Sequence, residues 1–552
     1  MNVHSKLPPA FLPLFAAYPV LFIAGANPGQ AQLTTVLAVV FAAVAAAALA
    51  WLALRPIAAS AQSAAIAVVV LVAMFFGYGY FANWLDAFVG SLLLGDFETP
   101  NLLDLVPQSR FYVAIAWGVV ALIVTVLVAR SRWTQKPGLP KALGVAAAVL
   151  VAITAFQIGS AQFPAAKSRP VPSDREGAAS GVDRSATGRH DIYFIVLDGY
   201  ARQDVLARYY GFDNGDFLRQ LQSRGLQVST QGSANYAWTF LSLVSTLNMR
   251  YVADLFQGRL GPESLDRSIV YDAIRDNDVA RFLRQKGYEI VHLRSTWGAT
   301  SVNPYADREI RCESSVYNNE FVRAVAESSW FGAFHTKAGV DLAHCNLANF
   351  RALQSLPPSQ QPRFVFAHFV LPHHPYLFDK DGRILRNAVV SNQFEFQKQL
   401  WEDRDSYRDQ LQFVNRKVIE TVDALLAKPG PRPIIVIESD HGPGFAKGLS
   451  EVSYYAIRFA NFGAYYLPGA PADLMPSAGS AVNQFRRILS HYFDADLPPL
   501  PDRHFASPNS APYAFREMPH DFLVKSWTRM NAERQADDPF NAAAPQVEST
   551  DD

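Results

Sequence analysis

The sequence predicts an N-terminal multi-span α-helical membrane domain of about five helices, followed by an α/β domain with a central mixed sheet. Three observations predict it. Apolar runs of near-membrane length dominate the chain before about residue 160. Helix-like and strand-like patterns alternate after residue 190, as in parallel or mixed α/β sheets. Two apolar runs, Ile192–Leu197 and Ile434–Ile437, each lead into an acidic turn. The 552 residues are enough for more than one domain, and the 50% hydrophobic content is unevenly spread. Lys plus Arg number 49 and Asp plus Glu 49, for zero formal charge. No basic stripe interleaved with aromatics occurs, so no nucleic-acid partner is expected. The two cysteines, Cys312 and Cys345, form no Cys-x-x-Cys pair, which excludes zinc-finger and thioredoxin readings.

Taken in order, the apolar segments are Ala10–Ala26, Leu33–Leu54, Ala64–Phe88, Phe111–Ala129 and Leu143–Phe156. Most approach the ~20 residues that cross a bilayer core, the first and last being shortest. The first ends in small residues, like a signal peptide, but four spans follow and it reads as a membrane helix. Lys6 and Arg55 flank the first two spans. Asp96, Glu98 and Asp104 fall after the third, and Arg130, Arg132, Lys136 and Lys141 after the fourth. Basic residues thus occupy alternate loops, which puts the N-terminus inside and everything after the fifth span outside. Residues 1–158 are the expected membrane domain and 159–188, rich in Ala, Ser, Gly and Pro, a linker. The expected soluble domain spans 189–530, and the polar stretch 531–552 reads as a disordered tail.

Within the soluble part, Ile192–Leu197 is apolar without alternation, the pattern of a central strand covered on both faces. Asp213–Asn214 caps a helix stopped by Gly225, with a strand over Leu226–Thr230. Asp278–Lys286 repeats the device, with Gly287 as the stop and Tyr288–Leu293 as the strand. Arg363–Val370 is a further strand, Asp403–Leu426 a long amphipathic helix, Ile434–Ile437 a buried strand, and Val482–Phe493 a late helix.

The chemistry sits at strand ends, where α/β sheets bind ligands. Asp198 follows the first strand; Asp440 and His441 follow Ile434–Ile437, in Glu438-Ser439-Asp440-His441-Gly442. Carboxylate and imidazole are metal ligands, and two such strand ends favour a metal site over a pair of structural turns. Thr239, in Asn235-Tyr236-Ala237-Trp238-Thr239, stands at a helix start, where it either caps the helix or serves as a nucleophile. The run Phe364–Val370 leads into Leu371-Pro372-His373-His374-Pro375-Tyr376. His373 reads as a group that contacts an anionic oxygen or carries a proton. His368 reads equally as a core residue or a functional one. Export would place Cys312 and Cys345 in an oxidising compartment and favour their pairing.

Strand-Asp, Thr at a helix start, Pro-His-x-Pro-Tyr and Ser-Asp-His-Gly, in that order, resemble the alkaline phosphatase superfamily, in particular its sulfatase-like branch. The five-span anchor resembles the lipoteichoic acid synthases and lipid A phosphoethanolamine transferases. The stretch Val482–Arg487 through Leu500–Arg503 is also similar to that branch. The resemblance covers roughly residues 191–503. It implies one divalent metal ion (zinc or manganese, with magnesium admitted) on Asp198, Thr239, Asp440 and His441. It also implies Thr239 as nucleophile, with Ser242 at a family spacing, and His373, beside His368, facing the substrate. Thr239 lacks the following proline and arginine of sulfatases, which argues against sulfate-ester hydrolysis. No cysteine lies near Thr239, which tilts the transferred group towards phosphoglycerol.

The expected function is a membrane-anchored phosphotransferase that moves a phospholipid headgroup, phosphoglycerol or phosphoethanolamine, through a phospho-threonine intermediate. The donor is a phospholipid and the acceptor a glycan or lipid. The enzyme is expected in a bacterial inner membrane with its catalytic domain on the outer face. A sulfatase-like hydrolase of phosphate or sulfate esters, and a non-catalytic envelope glycan-binding protein, are the alternatives.

Overall fold

The computed structural model describes residues 8–27, 33–94, 109–162, 190–312, 319–334, 338–385, 388, 400–444, 449–519 and 522. Five apolar helices come first: α1 (Phe11–Ala26), α2 (Leu33–Leu54), α3 (Ala61–Leu94), α4 (Ser109–Arg130) and α5 (Leu139–Gln162). They match the five apolar runs. Of these, α2 to α5 are long and apolar enough to cross a membrane, and α1 is shorter. Their exposed surface is apolar, including Phe41, Leu49, Leu122 and Phe156, the reverse of a water-soluble bundle. Helix α5 runs to Gln162, past the expected boundary at 158, because Ile158 is still apolar and packs with α1. The acidic loop 96–104, residues 163–188 of the linker and the tail 531–552 lie outside the described residues.

The soluble part is organised by a seven-stranded mixed sheet in the order β2-β7-β6-β1-β5-β3-β4. The strands are β1 (Ile192–Leu197), β2 (Gln227–Ser229), β3 (Glu289–Leu293), β4 (Arg308–Ile310), β5 (Arg363–Phe369), β6 (Ile434–Glu438) and β7 (Gly463–Tyr466). The strand β1 pairs in parallel with β5 on one side and β6 on the other. Only β7, against β6 and β2, runs antiparallel. Alternate residues of β1 enter different cores: Tyr193, Ile195 and Leu197 one, Ile192, Phe194 and Val196 the other. All six are buried, which is why the run shows no polar alternation.

Helices cover both faces: α6 (Gln203–Tyr209), α7 (Gly215–Ser223), α8 (Thr239–Asn248), α9 (Ser268–Arg275), α10 (Asp278–Gln285), α12 (Ala338–Gln354), α13 (Arg404–Leu426), α14 (Glu451–Phe459) and α15 (Gln484–Phe493), while α11 (Glu320–Ser328) packs on the apolar helices instead. The expected Gly225 and Gly287 stops occur, at φ +85° and +86°. The α10 cap is Asn277, whose side chain accepts from Ala280 N, one residue earlier than expected. Asp403 caps α13 by accepting from Ser406 N. Cys312 and Cys345 form the expected disulfide, with Cα atoms 5.0 Å apart.

Register explains the position of the site. Val196 of β1 lies opposite His368 of β5 and Glu438 of β6. Asp198 and the Ser439–His441 turn therefore leave the same edge of the sheet, above His368.

Candidate metal centre and nucleophile

Asp198 is 2% exposed and His441 and Asp440 are equally enclosed. One ligand atom from each of these three residues lies within 4.8 Å of the other two. His441 Nε2 is 3.2 Å from Asp440 Oδ2 and 3.9 Å from Asp198 Oδ1. The Thr239 hydroxyl donates to the same His441 Nε2 at 3.0 Å. Thr239 is the first residue of α8, not its cap; Trp238 holds the cap position. Its oxygen is thus turned to the carboxylate–imidazole cluster rather than to its own helix. Of the two sequence readings of Thr239, capping is the one the structure does not bear out.

Each ligand is fixed from behind. Asp440 Oδ1 accepts the Gly199 and His441 backbone N–H groups at 3.0 and 2.9 Å, so only Oδ2 is left facing Asp198 and His441. His441 Nδ1 donates to the Gly442 carbonyl at 2.9 Å, which selects the tautomer with a lone pair on Nε2. Two glycines are required here. Gly199 sits at φ +66°, and a Cβ would meet the Trp401 ring at 2.7 Å. A Cβ on Gly442 would stand 2.1 Å from the Ile457 carbonyl oxygen. The Ser242 hydroxyl donates to the Asp440 carbonyl at 2.6 Å. It therefore braces the turn one helical turn beyond Thr239 rather than facing the cluster.

The residues fit a divalent cation. Asp198 Oδ1 and Asp440 Oδ2 are buried and have no hydrogen-bond partner among the described residues, a cost of about 1–3 kcal/mol per group unless something else satisfies them. Four ligands at 2.0–2.2 Å in a tetrahedron stand about 3.4 Å apart, close to the 3.0, 3.2 and 3.9 Å separations between donor atoms. Burial and the Asp198 charge push the Asp440 carboxyl well above its usual range. Burial acts on Asp198 in the same sense, but His373, His368 and His441 outweigh it and hold that carboxyl low. Burial depresses His441 well below an ordinary histidine, which keeps it neutral and able to ligate.

His368 lies in the back wall of the site. Its Nε2 is 3.5 Å from Asp198 Oδ2, its Nδ1 is 2.9 Å from the Thr300 hydroxyl, and Trp297 packs edge-on against its ring. It is a buried residue beside the candidate ligand Asp198. His373 is tied to the site twice: its backbone N–H donates to the Asp198 carbonyl at 3.1 Å, and its ring is near Gly199. Its Nδ1 is 2.6 Å from the His374 carbonyl, which orients the ring. Burial lowers its pKa, opposed by Asp198.

Sequence reasoning missed two neighbours. Arg458 of α14 is 3% exposed. It donates to the Ala237 carbonyl through Nε at 3.0 Å and to the Gly442 carbonyl through Nη1 at 2.9 Å. It thus joins the Thr239 loop to the His441 loop, and the signal for it was a lone Arg in the apolar run Tyr454–Phe462. His374, buried with its ring against both His373 and Trp401, was hidden by adjacency to His373.

No family model matches the chain, and no curated protein does. Solved structures similar to it include the C-terminal periplasmic domain of EcEptC from Escherichia coli in complex with Zn, at 12% identity and TM-score 0.37, with 61% of this chain and 90% of that chain covered. The soluble domain of lipooligosaccharide phosphoethanolamine transferase A from Neisseria meningitidis is similar at 11% identity and TM-score 0.37, covering 60% and 95%. The phosphonate monoester hydrolase SpPMH from Silicibacter pomeroyi is similar at 14% identity and TM-score 0.37, covering 56% and 74%.

Proposed function

We propose that this chain is a membrane-anchored, metal-dependent phosphotransferase that moves a phospholipid headgroup, phosphoglycerol or phosphoethanolamine, onto an envelope glycan or lipid. The observation that carries the reading is the Thr239 hydroxyl on His441 Nε2, 3.0 Å away, with two carboxylate oxygens beside it that lack partners among the described residues. Asp198, Asp440, His441 and Thr239 would hold one divalent ion, zinc or manganese by the mixed oxygen and nitrogen donors. When bound, such an ion lowers the pKa of a hydroxyl and offsets negative charge on a phosphoryl group.

The chain's own residues supply the rest. Thr239 Oγ1 attacks phosphorus, a Thr–O–P bond forms, and the P–O bond to diacylglycerol breaks. The Thr239 proton ends on the departing diacylglycerol oxygen. The acceptor oxygen then attacks phosphorus, the Thr–O–P bond breaks, and the acceptor's proton returns to Thr239 Oγ1. His373, neutral and held by the His374 carbonyl, carries the proton in both halves. Arg458 fixes the Thr239 loop against the His441 turn. The five apolar helices keep the pocket beside its lipid donor, with the N-terminus inside and the catalytic domain on the outer face of a bacterial inner membrane.

The test is incubation of the purified full-length protein with headgroup-labelled phospholipids and zinc or manganese, followed by mass spectrometry of the Thr239 peptide. Diacylglycerol release and a headgroup-phosphate adduct on Thr239 are expected. The folded Thr239→Ala protein is expected to bind metal yet lose at least about three orders of magnitude in turnover. Cleavage of an aryl sulfate with no phospholipid consumed would count against the substrate reading.

A further inference from the structure

Between Cys312 and Cys345 the chain makes an excursion from the sheet, closed at its base by their disulfide. Its described part is α11, the turn Trp330–Phe334 and the start of α12 from Ala338. This excursion packs on the apolar helix bundle: α11 on α1, α2 and α3, and the turn on α3 and α4. Phe321 joins a cluster with Val20, Ala24 and Val36. Trp330 Nε1 donates to the Ala114 carbonyl of α4 at 2.8 Å. The Phe331 ring stands edge-on to Phe75 of α3 at 5.0 Å. Two bundle glycines leave room for it. A Cβ on Gly79 would lie 3.0 Å from the Glu327 carbonyl oxygen, and one on Gly118 would lie 2.9 Å from the Trp330 ring.

We infer that this excursion dips into the outer leaflet, with Phe331 as a lipid-facing anchor. The inference rests on the membrane reading of the helices and their N-terminus-inside topology. Depth can be read from two helices independently. Ala114 is three residues inside the outer end of the apolar window Phe111–Arg130, about 5 Å at 1.5 Å per residue. Phe75 is seven residues inside the outer end of the window Ala61–Ala82, roughly 10 Å by the same rise. The aromatics that mark a bilayer interface lie nearby: exposed Trp84 and Phe88 on α3, and exposed Phe111 and Tyr112 on α4. Phe331 is deeper along α3 than Trp84, and it remains 57% exposed.

The chemistry of the turn Trp330–Phe334 suits hydrocarbon; the charged Glu320, Arg323 and Glu327 lie on α11, outside it. Trp330-Phe331-Gly332-Ala333-Phe334 contains no charge. The Ser328 and Ser329 hydroxyls donate to the Val325 and Ala326 carbonyls of their own helix, so neither needs water. Glu320 is turned back to the soluble domain, accepting the Gly298 N–H at 2.7 Å. The occupant of the exposed Phe331 face is therefore acyl chain, continuous with the lipid around α3 and α4.

Nitroxide labels at Phe331→Cys, Tyr80→Cys and Leu265→Cys, each in the full chain in lipid nanodiscs, test this; the native cysteines are paired and do not compete. Collisional relaxation by oxygen is expected to exceed that by a water-soluble nickel chelate at 331 and at Tyr80 of α3, with the order reversed at Leu265 of the soluble domain. Ala333→Cys is expected to read as 331 does. Nickel reaching 331 as freely as 265, with Tyr80 still protected, would overturn the inference alone. Nickel reaching Tyr80 as well would overturn the membrane reading beneath it.

Discussion

At the scale of single residues, the site depends on a few atoms with no alternative. Asp440→Asn keeps the side-chain shape and an acceptor for the Gly199 and His441 N–H groups, but removes the charge that faces Asp198. Metal affinity is expected to fall by at least about 100-fold while the domain stays folded, since even outer-shell changes cost 10–100-fold. Calorimetric titration with zinc reads this, and unchanged affinity would refute the ligand. Gly442→Ala has no space for its methyl, because the obstacle is the Ile457 carbonyl in the backbone of α14. The expected loss is at least about 3 kcal/mol of stability, read by denaturant titration, with His441 displaced.

At the scale of elements, legibility followed local chemistry. Asp198, Thr239, Asp440 and His441 were readable because each occupies a strand end or helix start whose flanking residues announce it. The strands β4 and β7 were not. Arg308–Ile310 has three residues and Gly463–Tyr466 four, too short for a periodic pattern, and both are defined only by their neighbours in the sheet. The excursion carrying α11 was equally opaque. Its Phe321 and Trp330 look like core residues in sequence, and only the fold reveals that their partners are membrane helices. The disulfide at its base spans a separation of 33 residues. Loop-closure entropy for that length gives about 3–4 kcal/mol. A Cys312→Ser, Cys345→Ser double variant is expected to lose stability of that order in nanodiscs, and denatured, unreduced wild-type protein is expected to resist thiol labelling.

For the whole molecule, buried histidines set the acid limit. Burial lowers His292 to about 4 and holds His374 and His441 well below the usual value of 6.5. The unfolded chain therefore takes up protons near 6.5 that the folded chain refuses. Their contribution is complete above pH 6.5 and drains away as the pH falls towards 4. Asp440 and Glu438, whose carboxyls burial raises well above their usual range, bind protons in the folded chain and oppose this loss. The histidine share is therefore read by difference. Metal-free His292→Asn protein is expected to lose less Tm between pH 6.5 and 4 than metal-free wild type, and identical slopes would refute it.

The excursion that grips the bundle also decides how far the pocket can travel. A free linker of about 30 residues would let a domain wander roughly 30 Å from its anchor. Held by Phe321, Trp330 and Phe331 at the helices, the soluble domain gives up that reach. It becomes a fixture of the surface that diffuses only in the plane of the lipid. Under the proposed transfer reaction both reactants would then be delivered in that plane, which favours an acceptor that is itself carried on a lipid over one anchored in a wall farther out.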